Sequence, residues 1–271
     1  MIISAHQPHF LPWLGYLDRM MRADLFVLLD HVQFERANYQ NRTAIRFNGR
    51  SQLVTVPVQQ FSQKERVIDK LIDNPPTTDL RWWGNNLYET LRHAYRRAPF
   101  FDLYAPSLKA ILDRRYTHLV DLNQAMLDFL REVLDIRTPL VRSSDLVLDG
   151  MKSEMILNMC QVLGADVYLA GMGASRNYLD REAFEQAGIR LAFQEFRHPL
   201  YSQCGKEPFI KGLSAVDLLF NHGPQSAALL HNLVEAEGAS PKEAATIRVL
   251  EPALENGLIQ QPGFAAVPAE I

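Results

Sequence analysis

Cysteine is scarce in this 271-residue chain: Cys160 and Cys204, with 43 residues between them, are the only two, and neither belongs to a CxxC pair. That leaves a disulfide framework or a structural zinc site without support. Long apolar runs are missing as well. The longest, at residues 25–29 and 167–173, fall far short of the roughly 18 residues that a membrane-spanning helix needs, and no basic flank precedes an apolar stretch at the start. The expectation is a cytoplasmic protein without a membrane span. Excess charge is absent too: 28 Lys and Arg stand against 31 Asp and Glu, so no basic field favours nucleic acid as a partner.

What is present is ordinary globular usage, 47% hydrophobic and 22% charged, which excludes disorder and collagen-like or coiled-coil architectures. No linker divides the chain. We expect a single α/β domain over 1–235 with a helix-rich insertion at about 79–135. A tail or loosely docked arm is expected over 236–271, where Ala, Gly, Pro and Glu displace the apolar periodicity.

The chain opens with Met1-Ile-Ile-Ser-Ala5, enters His6-Gln-Pro-His9, and continues into a helical pattern over 10–21 with Pro12 in its first turn. The apolar run at 25–29 reads as a strand buried on both faces, giving strand, loop, helix and strand within 30 residues. Such a unit crosses over right-handed and pairs in parallel. Further strands are predicted at 52–58, 140–142, 166–171 and 189–196, and helices at 80–97, 107–115, 119–134, 153–163, 181–187, 214–220 and 224–235. The alternation predicts a Rossmann-like α/β fold, a mostly parallel sheet flanked by helices.

Two loops at strand exits carry the candidate chemistry. His6 and His9, with Gln7 between them, leave the first strand where a helix follows, a setting for an anion; the bland alternative is a turn shaped by Pro8. Gly171, Gly173, Ser175 and Arg176 follow a later strand, where glycines admit a ligand to the backbone and the guanidinium offers a bidentate charge. A plain glycine-rich connection is the alternative there. Asp30 and Gln33 leave the second strand on the same edge, and Asn41 and Arg42 are placed in the loop after it, with a cap as the competing role for Asp30. His198, ending the last strand, is the candidate general base. Trp13, Tyr178 and Tyr201 complete the substrate-binding set. Cys160, on an apolar helix stripe, is a nucleophile of low prior, and no metal site is expected.

His-Gln-Pro-His-Phe-Leu-Pro-Trp-Leu-Gly-Tyr, Leu-Asp-His-Val-Gln-Phe, Gln-Asn-Arg and Phe-Asn-His-Gly occur in that order, and over about residues 1–230 the chain resembles the WbqC-like protein family. The resemblance implies a role in building or decorating a surface polysaccharide such as O-antigen, with N-acylation of an amino sugar as the conjectured activity. The HxxH spacing is similar to that of nucleotidyltransferases. Ser175-Arg-Asn-Tyr-Leu179 is similar to a loop of pantothenate synthetases, which form an amide through an acyl-adenylate. Here one residue fewer separates Asn from Leu, and Pro8 stands where those enzymes have Gly. The expected function is therefore amide-forming acyl transfer to an amine, with His6, His9 and His198 as catalytic residues. The activated donor would be a nucleotide adduct, acyl-CoA or a carrier-protein thioester, and an acyl carrier protein would be a partner besides the small-molecule substrate. A nucleotidyltransferase and a non-catalytic nucleotide-sugar-binding protein stay open as alternatives, the latter because Pro8 hinders backbone approach to a phosphate.

Overall fold

The two apolar runs near the N-terminus make the centre of a parallel sheet. In the computed structural model, which describes residues 1–62, 64–76, 82–171, 173 and 175–236, strand β1 (Ile2–His6) leads through a loop into helix α1 (Leu14–Met21) and on to β2 (Leu25–Leu28). The strands run parallel, with Ile3 opposite Leu25 and His6 opposite Leu28. All of β2 is buried because both faces of the sheet are covered: Leu25 and Val27 enter one apolar cluster, Phe26 and Leu28 the other.

The chain then builds an antiparallel hairpin, β3 (Arg42–Phe47) and β4 (Arg50–Thr55), and helices α2 (Trp83–Tyr95), α3 (Phe101–Leu112) and α4 (Leu119–Val133). It returns through β5 (Leu140–Arg142), a 3-10 turn at Ser143–Asp145, α5 (Ser153–Val162), β6 (Val167–Ala170), the single turn α6 (Ser175–Tyr178), α7 (Arg181–Gln186) and β7 (Arg190–Phe193). Helices α8 (Ala215–His222) and α9 (Gln225–Ala236) follow. Leu17 of α1, Leu91 of α2, Met126 of α4 and Phe220 of α8 share the cluster of Phe26, whereas Met159 of α5 and Phe184 of α7 cover the opposite face.

The five-stranded sheet has the order β5-β2-β1-β6-β7, every pair parallel, so the fold is α/β. From β1 the chain winds outward through β2 and β5, then crosses back and winds the other way through β6 and β7. The direction reverses between β1 and β6, and ligands of such sheets bind at the carboxyl ends beside that reversal. The ladder between the two strands covers Ile2–Val167 and Ile3–Tyr168; one residue on, Ser4 Oγ donates to the Leu169 carbonyl at 2.7 Å. A side chain thus takes over where the backbone ladder stops, short of the carboxyl ends of both strands.

Several elements differ from the sequence reading. Arg42, expected in a loop, opens β3, and β4 spans Arg50–Thr55 where 52–58 was expected. The connecting turn is Asn48-Gly49 with φ of 47° and 72°, the left-handed pair a two-residue hairpin turn requires. Helix α3 starts at Phe101 and accommodates Pro106, and α1 starts only at Leu14 because the residues before it form a tethered loop. The 175–178 segment makes a helical turn instead of continuing as loop. Leu80, the expected start of α2, and residues 237–271 of the expected tail lie outside the described residues. No helix among the described residues is long and apolar enough to cross a membrane.

A buried polar network fixes the segment after β7. Asp217 on α8 is fully buried and accepts from Tyr95 Oη at 3.0 Å, Tyr201 Oη at 2.8 Å and Gln203 Nε2 at 2.8 Å. Arg46 on β3 donates from Nε to the Cys204 carbonyl, from Nη1 to Gln203 Oε1 and the Pro208 carbonyl, and from Nη2 to the Glu207 carbonyl and Oε2, at 2.9–3.2 Å. Replacing Asp217 by Ala strands three donors in the interior. Urea denaturation is expected to show a loss of about 3 kcal/mol or more.

Candidate functional site

The loop between β1 and α1 is tethered by four separate parts of the chain. Phe10 N donates to the Tyr39 carbonyl at 3.0 Å, Thr43 Oγ1 to the Leu11 carbonyl at 2.9 Å, Ala215 N to the Pro12 carbonyl at 2.9 Å and Asn123 Nδ2 to the Pro8 carbonyl at 3.4 Å. These ties hold Leu11 at φ 44°, a conformation that a non-glycine residue keeps only when its surroundings over-determine it. His9 is thereby fixed edge-on to His6, with ring centroids 4.4 Å apart, and packs on Tyr16 at 5.2 Å and Tyr39 at 5.9 Å.

This loop forms one wall of a cleft of about 1120 Å³ at the carboxyl ends of β1, β6 and β7. Of the residues expected at the site, His6, Gln7, His9, Trp13, Gly171, Gly173, Ser175, Tyr178 and His198 line it. Three sequence-distant segments therefore meet: the exit of β1, the glycine turn after β6 and the segment after β7. Trp13 spans two of them, packing edge-on against Phe196 at 5.3 Å.

The other expected residues lie elsewhere. Asp30 is fully buried and accepts from Ser143 Oγ, Ser144 N and Ser144 Oγ at 2.8–3.1 Å, so it caps the 3-10 turn after β5. Gln33 bridges to Arg66, Asn41 Nδ2 donates to the Val56 carbonyl at 2.8 Å, and Arg42 heads β3 opposite Thr55. The Arg176 guanidinium lies over the Phe193 ring at 5.4 Å. Tyr201 stands behind the site: its hydroxyl goes to Asp217 while its ring stacks on His198 at 6.2 Å. Cys160 is buried in the opposite apolar cluster, where burial pushes its thiol up to about 12 and keeps it protonated.

Arg19 is the residue that sequence reasoning missed. It lies on α1, is only 5% exposed, and lines the cleft beside His6, His9, Tyr16 and Tyr168. The preceding carboxylate is committed elsewhere: Asp18 accepts from Arg22 Nε and Nη2 at 2.9 and 3.0 Å and from Gln194 Nε2 at 2.6 Å. Gln194 Nε2 also donates to the Gly15 carbonyl at 2.8 Å, tying α1 to the exit of β7. On a helical wheel Gly15 and Arg19 fall opposite the apolar stripe and Asp18 on its flank, positions that read as solvent-exposed. Gly171 after β6 and Gln194 after β7 cover that face.

The two histidines of the first loop are neutral. Burial, the Arg19 charge and mutual repulsion hold His6 well below the ordinary imidazole range; burial and Arg19 push His9 down to about 3. His6 Nδ1 lies 3.0 Å from the Gln7 carbonyl, which can only accept, so its proton sits on Nδ1. The fixed positive charge of the floor is thus Arg19, and the imidazoles supply neutral donors and acceptors. Both ring nitrogens of His9, Tyr16 Oη, Arg19 Nε and His198 Nε2 are buried without a protein partner, and all belong to this cleft. Such groups are costly unless something binds them. Arg19 and these donors could hold an anionic group of a cofactor or substrate. Among the described residues no three His, Cys, Asp or Glu gather to hold a metal ion.

The chain matches the WbqC-like protein family over residues 7–229. It is similar to an uncharacterized protein, Rv1507c, of Mycobacterium tuberculosis, with 34% identity over 231 residues covering 83% of this chain and 95% of that one. No solved structure matches.

The neutral state of His9 gives stability a definite pH dependence. The unfolded chain binds protons from about pH 6.5 downward while the folded chain resists down to about 3, so stability is complete above pH 6.5 and is lost as pH falls through that window. Between pH 7 and pH 5 the wild type should lose about 2 kcal/mol more than His9→Gln does. Urea denaturation of both proteins at the two pH values measures the difference.

Proposed function

The chain belongs to the WbqC-like protein family, and on that premise we propose that it is a small-molecule transferase forming an amide from an activated acyl donor and an amine, such as that of an amino sugar, in surface-polysaccharide or related metabolism. The observation that carries this reading is His198. Its Nδ1 lies 2.9 Å from the Pro199 carbonyl, which places the proton there and leaves Nε2 as the acceptor, buried and without a protein partner in the cleft wall. Burial and nearby Lys211 lower its pKa, so at neutral pH it is a base.

In the proposed step the amine nitrogen attacks the acyl carbon and the new N–C bond forms. The bond from that carbon to the sulfur or oxygen of the leaving group breaks, and the leaving group departs with the electron pair. The proton released by nitrogen passes to His198 Nε2. The glycine turn supports stabilisation of the intermediate oxyanion, because Gly173 has open space where a side chain would stand. An acyl-CoA or a carrier-protein thioester meets the requirement for a donor.

A second reading, nucleotidyl transfer at an α-phosphorus, is favoured by one feature: His6 and His9 stand side by side at the exit of β1, beside the reversal in the sheet. The two reactions differ in whether the nucleotide leaves or stays on the product.

Thermal-shift measurements with ATP, CTP, nucleotide sugars and acyl-CoA are expected to show stabilisation by at least one; stabilisation by none would end both readings. With a productive pair in hand, His198→Gln should lower kcat about 10²- to 10⁴-fold with KM little changed. Mass spectrometry of the product distinguishes an N-acyl adduct from a nucleotidylated one.

A further inference from the structure

A guanidinium keeps its charge under all ordinary conditions, so one enclosed by a fold requires an anion nearby. Arg19 has no ion-pair partner among the described residues: Asp18, the carboxylate that acts on it, is forked by Arg22 and bonded by Gln194, and the other groups around it are the phenols of Tyr16, Tyr168 and Tyr178. Its Nε, together with Tyr16 Oη and both nitrogens of His9, is buried without a partner. Gly171 packs directly against the guanidinium, and any side chain at that position would overlap Nη1. Glu35, Glu195, Arg197 and Lys211 also line the cleft, but all four are exposed at its rim, where solvent screens them.

We propose that Arg19, Tyr16 and His9 form a subsite for one singly charged oxyanion of the ligand, a carboxylate or a phosphodiester-type phosphate. The guanidinium fork supplies the charge and two parallel donors, and the phenol and neutral imidazole supply donors without further charge. One fixed positive charge surrounded by neutral donors matches one negative charge. A dianionic phosphomonoester would leave a charge unbalanced in a desolvated floor. The absent side chain at Gly171 leaves the space that Nη1 of the guanidinium itself occupies. This assignment goes beyond the transfer chemistry proposed above: occupancy is read without turnover, so the failure of one does not decide the other.

The test uses the full chain and four probes, formate, dimethyl phosphate, inorganic phosphate and chloride, at matched ionic strength. Relative to chloride, formate or dimethyl phosphate is expected to raise the melting temperature of the wild type by several degrees in a saturable way, and the stronger of the two identifies the group as carboxylate or diester. Arg19→Met is expected to melt no lower than the wild type in chloride, because an uncompensated buried cation has been removed, and to bind the effective anion about a hundredfold more weakly. Gly171→Ala, which displaces the guanidinium while keeping it, should weaken the anion at least about tenfold, and serves if the methionine variant fails to fold. In the wild type the same anion should shift the His9 ring resonances saturably. The proposal is overturned if no anion stabilises the wild type beyond chloride, if the variants respond as the wild type does, or if inorganic phosphate at pH 8 exceeds both singly charged probes.

Discussion

Reversal of winding between β1 and β6 is the constraint around which the molecule is arranged. The backbone ladder joining the two strands stops at Ile3, Ser4 bridges the next step through its hydroxyl, and beyond it the two strands are no longer paired. Polar backbone left at such a point must find partners or face a ligand. On one side the loop after β1 finds them in β3, α4, α8 and the segment at Tyr39; on the other, the turn after β6 is built from glycine. The cleft is the space that these two solutions leave between them.

The floor shows the tension between stability and function at close range. An arginine without an ion-pair partner and an imidazole without hydrogen-bond partners each work against folding, and they lie within one cleft. The surrounding structure offsets them with a large apolar core on both sheet faces and with satisfied polar networks such as that of Asp217. Functional groups held off their own optimum by a rigid surround need no reorganisation when a ligand arrives.

Much of this was legible in the sequence. The strand at the start, the parallel partner at 25–28 and the late strand at 167–170 follow from apolar runs of the right length, and the HxxH and glycine turns stand at strand exits as their neighbours imply. The β3–β4 hairpin was legible too, through Asn48-Gly49 between alternating segments, but arginine at positions 42, 46 and 50 masked the alternation. Arg46 is buried only because it bonds a segment about 160 residues later, and helix or strand periodicity carries no record of such a partner. Arg19 escaped notice for the same reason. Its position off the apolar stripe of α1 is a local property, whereas its burial depends on Gly171 and Gln194, which only the sheet order brings near. Asp30, placed at a strand exit on the correct edge, turned out to cap Ser144; a strand-end carboxylate has two such uses, and the sequence does not choose between them.

Arg46 donates all of its guanidinium N–H groups to the stretch 203–208. The antiparallel pair and the wall bearing His198 are thereby welded into a single mechanical unit. The breadth of the opening on that flank is set when the protein folds, so a molecule entering there would meet a wall that the hairpin already holds in place.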